Sequence, residues 1–248
     1  MVPPACQLVI DSIAAGRDAR LVWSNEVGGH TFAIDRTFVK WSPFELERER
    51  IRLAWAAPVI PVPRVIDHGR DAGGTWFVTE ALPGESAIAP RWRADPRTAV
   101  IAIATGLRTL HDTLPVEHCP FSWSATERAA SAERRRDSLA KMRDEHEALG
   151  IAELLRRAAA PPPLDKLVVC HGDPCSPNTL IGDDGRCSGH VDLGALGVGD
   201  RWGDLAVASW SLAWNYGAGW DDLFFATYGV APDPTRIAYY RMLWDLGP

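Results

Sequence analysis

The chain has 248 residues, of which 46% are hydrophobic and 23% charged, the balance of an ordinary folded protein and not of a disordered one. Its formal net charge of -6 argues against nucleic acid, which wants a basic face, and fits either a cationic small molecule or plain solubility. At this length, two lobes and one large domain are both open.

Residues 1–12 carry neither a basic segment nor a long apolar run, so no signal peptide is expected there. No stretch approaches the roughly 20 apolar residues of a membrane helix. The first part of the chain reads mainly as strands, at 21–23, 31–34, 38–41, 65–67 and 76–79, where β-branched and aromatic residues concentrate. Gly28-Gly29 and Gly73-Gly74 mark turns between them. One helix interrupts the strands. It starts near Pro43 and runs through Glu45, Glu49 and Leu53 to Trp55, with Pro58, Pro61 and Pro63 ending it.

Leu82-Pro83-Gly84 breaks the pattern and predicts a boundary between an N-terminal part, 1–81, and a C-terminal part, 82–248, in which helices dominate. Asp95 caps a helix with Pro96 at its first position, and the apolar stripe continues through Ile101, Leu107 and Leu110. The charged stretch 124–157 reads as two helices, followed by the stiff connector Pro161-Pro162-Pro163. Short buried strands are expected at 167–170 and 187–191, and closing helices at 202–214, 220–228 and 235–246.

Five cysteines, an odd number with no Cys-x-x-Cys pair, predict no disulfide framework and fit a reducing cytoplasm. Cys170, His171 and Cys175 are close in sequence but lack zinc-ligand spacing, so the thiols read as core filler.

The segment that carries chemistry is His171-Gly172-Asp173-Pro174-Cys175-Ser176-Pro177-Asn178, followed by Val191-Asp192-Leu193-Gly194. Both pieces follow predicted strands, and their prolines and glycines keep them in loops, where reactive groups are displayed. Phosphoryl transfer needs such a set: one carboxylate to orient the acceptor hydroxyl, and hard oxygen donors to hold Mg²⁺. Protein kinases place an Asp, an Asn five residues on, and a later Asp-Phe-Gly. Asp173 and Asn178 keep that offset, Asp192-Leu193-Gly194 stands for Asp-Phe-Gly, and His171-Gly172 replaces His-Arg. The bland alternative is a turn-rich loop whose Asp and Asn only cap backbone groups, but three oxygen donors at the spacing of one mechanism outweigh it.

Upstream, Lys40 ends a predicted strand, where it can reach the phosphates of ATP if a helix carboxylate holds it. Glu49 is the natural partner and Glu45 the rival, one helical turn earlier. Alone, Lys40 would read as a solvated surface lysine. There is no P-loop and no Gly-x-Gly-x-x-Gly, although residues 24–30, beginning at Ser24, could cover phosphates with backbone N–H groups.

At this point the sequence resembles the aminoglycoside phosphotransferases, over nearly its whole length. Arg48-Glu49-Arg50 through Leu53-Ala54-Trp55 and Val62-Pro63-Arg64-Val65-Ile66 resemble the family's helix and following strand. Val168-Val169-Cys170-His171-Gly172-Asp173 and Gly199-Asp200-Arg201-Trp202-Gly203-Asp204-Leu205-Ala206 are similar to its core motifs. Residues 236–243 resemble the final helix of kanamycin and neomycin 3'-kinases, and Asp144-Glu145-His146 with Ala152-Glu153-Leu154-Leu155 their substrate lid. The stretch 170–178 looks equally like streptomycin 3''-kinases. The resemblance implies an α+β, bilobal protein-kinase-like fold, with a small β-rich N-lobe and a larger, mainly helical C-lobe. It implies Asp173 as the catalytic aspartate, Asn178 and Asp192 as Mg²⁺ ligands, and Lys40 with Glu49 at the nucleotide phosphates. It makes Thr79-Glu80-Ala81 the hinge whose backbone meets adenine, and Asp200 and Asp204 braces of the catalytic loop.

The chain departs from the family's pattern. Ala195 follows the Asp-x-Gly where Arg is frequent, and Arg143, Trp214 and Trp244 stand where acidic residues usually lie near the aminoglycoside. An aromatic C-terminus is replaced by Gly247-Pro248. The carboxylates left for a cationic acceptor are Asp144, Glu145, Asp245 and the terminus of Pro248, so a narrower or weaker aminoglycoside range is expected. Three readings compete: an aminoglycoside kinase, a kinase of another small hydroxyl compound, and a pseudokinase that only binds nucleotide. A cytoplasmic monomer acting on a small molecule, with no nucleic acid and no membrane, is the expected setting.

Overall fold

The computed structural model describes residues 2–25, 27–71, 73–139 and 142–247, the side chains of Asp144 and Glu145 excepted. The chain divides into two compact units between Leu82 and Pro83.

The first unit is a five-stranded antiparallel sheet with two helices. Its strands are β1 (Arg20–Ser24), β2 (His30–Ile34), β3 (Thr37–Ser42), β4 (Val65–Arg70) and β5 (Thr75–Glu80), in the order β1-β2-β3-β5-β4. The helices are α1 (Pro4–Ala14) and α2 (Glu47–Ala56). All five expected strands are present. The helix α1 was not expected, yet its logic is in the sequence: Pro4 opens it, and Cys6, Ile10 and Ala14, four residues apart, form its buried stripe. That stripe packs on Phe32, Ile34, Val39, Trp41 and Val78 of the sheet. Strand alternation buries Val39 and Trp41 in this cluster and so turns Lys40 to the opposite face.

The helix α2 starts at Glu47, not near Pro43. Thr75 supplies the reason. Its Oγ1 donates to the Phe44 carbonyl at 2.6 Å and accepts the Leu46 N–H at 3.1 Å, holding that segment out of helical geometry.

The second unit is mainly helical: α3 (Pro90–Ala94), α4 (Pro96–Thr113), α5 (Ala125–Arg134), α6 (Asp144–Glu147), α7 (Ile151–Ala158), α8 (Trp202–Tyr216), α9 (Asp221–Tyr228) and α10 (Pro234–Asp245). The stretch 124–157 thus holds three α-helices, not two. Five short strands accompany them: β6 (Glu85–Ser86), β7 (Leu167–Cys170), β8 (Thr179–Ile181), β9 (Cys187–His190) and β10 (Gly197–Asp200). The β7 and β10 strands pair antiparallel, and β6-β8-β9 form a second small sheet. Asp95 caps α4 as expected, accepting the Thr98 N–H. The core is built on α4 and α8, through Val100, Ile103, Leu107, Leu205, Ala208 and Leu212. Among the described residues, no helix is long and apolar enough to cross a membrane.

Candidate active site

In the second unit the loop that begins at His171 is suspended from a buried carboxylate. Strand β7 delivers His171 and Gly172, whose backbone N–H groups donate to Asp204 Oδ2 and Oδ1 at 2.6 and 2.9 Å. Asp204 lies in the first turn of α8 and is fully buried, so its charge must be met internally. His111 of α4 completes it, with Nε2 at 2.9 Å from Oδ2, while His111 Nδ1 bonds the Tyr228 hydroxyl at 2.8 Å. Burial pushes this carboxyl up, but the His111 hydrogen bond, the His111 and His171 charges and the Gly172 N–H outweigh it and hold it below the usual range. Cys170, His111 and Asp204 lie close enough to resemble a metal site. Their atoms take part in hydrogen bonds within the unit: His111 and Asp204 bond each other, and Cys170 donates to the Asp200 carbonyl. Asp200 ties down the neighbouring chain, accepting the N–H groups of Asp165 and Trp202.

Gly172 has a φ of 87°, and a Cβ there would sit 2.4 Å from the Ala195 carbonyl oxygen. The close approach of these two loops is why glycine stands where protein kinases have arginine.

Asp173, Asn178 and Asp192 are brought together by the same small sheet. Thr179 of β8 pairs with His190 of β9, and beyond the ladder the Val191 N–H donates to the Asn178 carbonyl at 3.0 Å. Asp192 follows with φ 62°, a left-handed conformation fixed by that bond on one side and by the fully buried Leu193 on the other. Its side chain is exposed. Asn178 Nδ2 donates to the Asp173 carbonyl at 2.9 Å and to Asp173 Oδ2 at 3.3 Å, which turns the amide oxygen of Asn178 to the other side. The second carboxylate oxygen of Asp173, Oδ1, is buried and makes no well-formed hydrogen bond, although the Cys175 thiol and Trp244 lie near the carboxylate. Burial pushes the Asp173 carboxyl above its ordinary range. The Cys175 thiol and the His171 charge pull it back, the Asp192 carboxylate adds to the rise, and Trp244 draws it down again.

In the first unit Lys40 Nζ donates to Glu49 Oε2 at 2.6 Å, and Glu49 is largely buried. Glu45 lies ahead of α2 and pairs with Arg70 instead. The loop at 24–30 uses its own donors: Gly29 N–H bonds Asn25 Oδ1 at 2.6 Å, Gly28 N–H the Asn25 carbonyl and Asn25 N–H the Gly29 carbonyl. Those three groups face into the loop. The Ser24 hydroxyl is exposed and bonds His30 Nδ1 at 2.8 Å. At the end of β5 the Glu80 N–H donates to the Arg64 carbonyl and the Ala81 N–H to the Arg36 carbonyl, so both are engaged within the unit, while Thr79 is buried.

A sequence model of the phosphotransferase enzyme family matches residues 9–240. The chain belongs to that family. Its sequence is 39% identical over 221 residues to an aminoglycoside 3'-phosphotransferase of Streptomyces fradiae, covering 82% of this chain and 80% of that protein. It is 36% identical to a streptomycin 3''-kinase of Streptomyces griseus, over 92% of each. The structure resembles that of the aminoglycoside phosphotransferase APH(3'')-Id of Streptomyces rimosus in complex with ADP and streptomycin, with a TM-score of 0.79, 30% identity and 99% of each chain covered. The fold class is therefore the one expected, the α+β kinase-like fold of the phosphotransferase family.

Among the carboxylates expected at the acceptor, Asp245 is the one whose side chain is described, and it is turned inward. The Asp245 side chain is only 7% exposed, and its Oδ2 accepts both the Arg143 N–H and His146 Nδ1 at 2.8 Å. It anchors the start of α6 and is not turned out toward an ammonium group. Asp144 and Glu145 lie in α6, but their side chains, like Pro248, are outside the described residues. Sequence reasoning missed His111. Its only signal is a histidine inside the apolar stripe of α4, beside Leu107 and Leu110.

Proposed function

We propose that this phosphotransferase moves the γ-phosphoryl group of ATP to a hydroxyl of an aminoglycoside antibiotic and so inactivates it. Asp173 Oδ1 carries the reading: a buried carboxylate oxygen that makes no well-formed hydrogen bond, with the Cys175 thiol and Trp244 beside the carboxylate, on a loop anchored by Asp204, is suited to accept a proton. A protein that only bound nucleotide would have no use for that atom. In the proposed reaction the acceptor oxygen attacks the γ-phosphorus, the bond to the ADP oxygen breaks, and the hydroxyl proton passes to Asp173. The products are ADP and a phosphate monoester. Lys40, held by Glu49, would meet the nucleotide phosphates. The amide oxygen of Asn178 and the exposed carboxylate of Asp192 are hard donors of the kind Mg²⁺ takes, and they would hold it. Bound there, Mg²⁺ neutralises charge on the transferred group.

The aminoglycoside names of the relatives over four fifths or more of their length support this acceptor class. Five free thiols fit action in a reducing cytoplasm, and the proposed setting is a monomer acting on a diffusing small molecule. The test is incubation with MgATP and neomycin, kanamycin or streptomycin, read as a mass gain of one phosphoryl group. NMR of the product then gives the hydroxyl. Gain on at least one is expected, and none on all three overturns the acceptor class.

A further inference from the structure

Beside the transfer loop, three tryptophans converge on one cation. Trp210 and Trp214 stand one turn apart on α8, and Trp244 comes from α10. Their ring centroids are 4.9 Å apart for 210 and 214, 6.1 Å for 210 and 244, and 5.9 Å for 214 and 244. The guanidinium carbon of Arg143 lies 3.6 Å from the Trp214 centroid, 4.8 Å from Trp210 and 5.9 Å from Trp244. Arg241 also lies 5.6 Å from Trp210, but it is held by the Ala206 carbonyl and the Ser209 hydroxyl. Arg143 is exposed, and its backbone is pinned through Asp245, which leaves the side chain to move alone.

The cage adjoins the chemistry. Ser211, next to Trp210, accepts the Ser176 N–H of the transfer loop at 2.8 Å, and Trp244 is near enough to Asp173 to draw its carboxyl down. Trp210 is 7% exposed and belongs to the core, but Trp214 keeps 38% of its surface in solvent, so core packing does not account for the outer wall of the cage. Aromatic faces set around a cation are a means of recognising organic cations generally. The charge logic also needs an answer: a polycationic acceptor would meet Arg143 beside the catalytic loop and be repelled.

We propose that the cage of Trp210, Trp214 and Trp244 is a subsite for a cationic group of the acceptor, which Arg143 fills until the acceptor displaces it. The proposal rests on the acceptor class above and names what replaces carboxylates in recognising it. Arg143 acts as a built-in competitor, so that only an acceptor whose own cation fits the cage better gains entry, which narrows the range.

The test uses wild type, Arg143→Ala, Trp214→Leu and Trp214→Phe. Indole fluorescence is followed while methylguanidinium is titrated without nucleotide or aminoglycoside. A saturable change is expected in Arg143→Ala at about tenfold lower concentration than in wild type. It is expected to vanish in Arg143→Ala combined with Trp214→Leu and to persist in the combination with Trp214→Phe. Steady-state kinetics with streptomycin, which carries guanidinium groups, should show KM about fivefold lower in Arg143→Ala and about tenfold higher in Trp214→Leu, the effect falling on KM and not on kcat. A higher KM in Arg143→Ala, or methylguanidinium titrations alike in all variants, overturns the proposal. If no aminoglycoside is phosphorylated, the acceptor class fails by itself, and the methylguanidinium titration still decides whether the cage binds cations.

Discussion

Asp204 Oδ2 accepts the backbone N–H of His171 at 2.6 Å, so the position of the catalytic loop is set from α8. Asp204→Ala removes a buried charge and leaves two backbone donors and His111 without their partner. Breaking such a buried network costs about 3–5 kcal/mol, which lowers the melting temperature by on the order of 10 °C in a chain of this size. Activity falls with it, because Asp173 is two residues from the lost anchor. The folded-state pKa of Asp204 is depressed, so its stabilisation is present above the unfolded carboxylate range and is lost as pH falls through the folded value. Acid titration followed by circular dichroism should show wild type losing this advantage over Asp204→Asn as the pH drops.

Gly172→Ala tests the contact between the two loops. The new Cβ meets the Ala195 carbonyl at 2.4 Å, and the φ of 87° is unfavourable for any L side chain. A cost of about 1–3 kcal/mol is expected, with a loss in kcat of at least tenfold as Asp173 is displaced. Gly172→Arg, which would restore the protein-kinase sequence, should be worse still. Denaturant melts and kcat for the two variants check this, and wild-type behaviour in Gly172→Arg would show that the loops separate easily.

Much of the architecture was legible from local composition. The five strands of the first unit stand where β-branched and aromatic residues concentrate, and the closing helices α8, α9 and α10 stand where they were expected. The candidate transfer set was legible because two loops, one after β7 and one after β9, carry three oxygen donors at one mechanism's offset. What escaped depends on contacts distant in sequence. Thr75 decides where α2 begins, across 31 residues from Phe44. Asn25 turns the donors of its loop inward, and Asp245 faces His146 because α6 packs near the end of α10. The cage around Arg143 joins residues from α8 and α10 that no local pattern links. Helix α1 is different: its stripe was readable, but the run is short and nearly uncharged, and so it has little polar face.

Glu49→Gln and Lys40→Ala separate holding from contact. The Lys40–Glu49 bond is 2.6 Å long and largely shielded from water, and charge-assisted hydrogen bonds of this kind contribute about 1.5–3 kcal/mol. Glu49→Gln should raise the KM for ATP about tenfold or more while leaving the acceptor KM nearly unchanged, and Lys40→Ala should do more. Asp192→Ala is expected instead to alter the Mg²⁺ dependence of the rate. Rate measured against ATP and against Mg²⁺ distinguishes the two. An unchanged Mg²⁺ curve in Asp192→Ala removes that residue from the metal site.

Asp173 presents the opposite balance to Asp204. Burial raises its folded-state pKa, with the Asp192 carboxylate adding to the effect, so its ionised form is disfavoured by folding. Such a group costs stability once pH is above its folded pKa, and the cost disappears below the unfolded one. Replacing it with the uncharged Asn removes that cost at neutral pH. Asp173→Asn should therefore melt above wild type at pH 7, and the difference should shrink as pH falls through the carboxylate range. Turnover should follow the reverse order: in the proposed reaction the ionised form accepts the acceptor's proton, so the variant should lose at least 100-fold in kcat, within the range of general-base removal of about 10²–10⁴. In wild type the acid limb of kcat/KM should lie above the ordinary carboxylate value of about 4. Thermal melts across pH and a pH–rate profile measure both sides. An Asp173→Asn protein that melts lower at pH 7 while keeping most of its turnover would show that this carboxylate is structural and that the proton goes elsewhere.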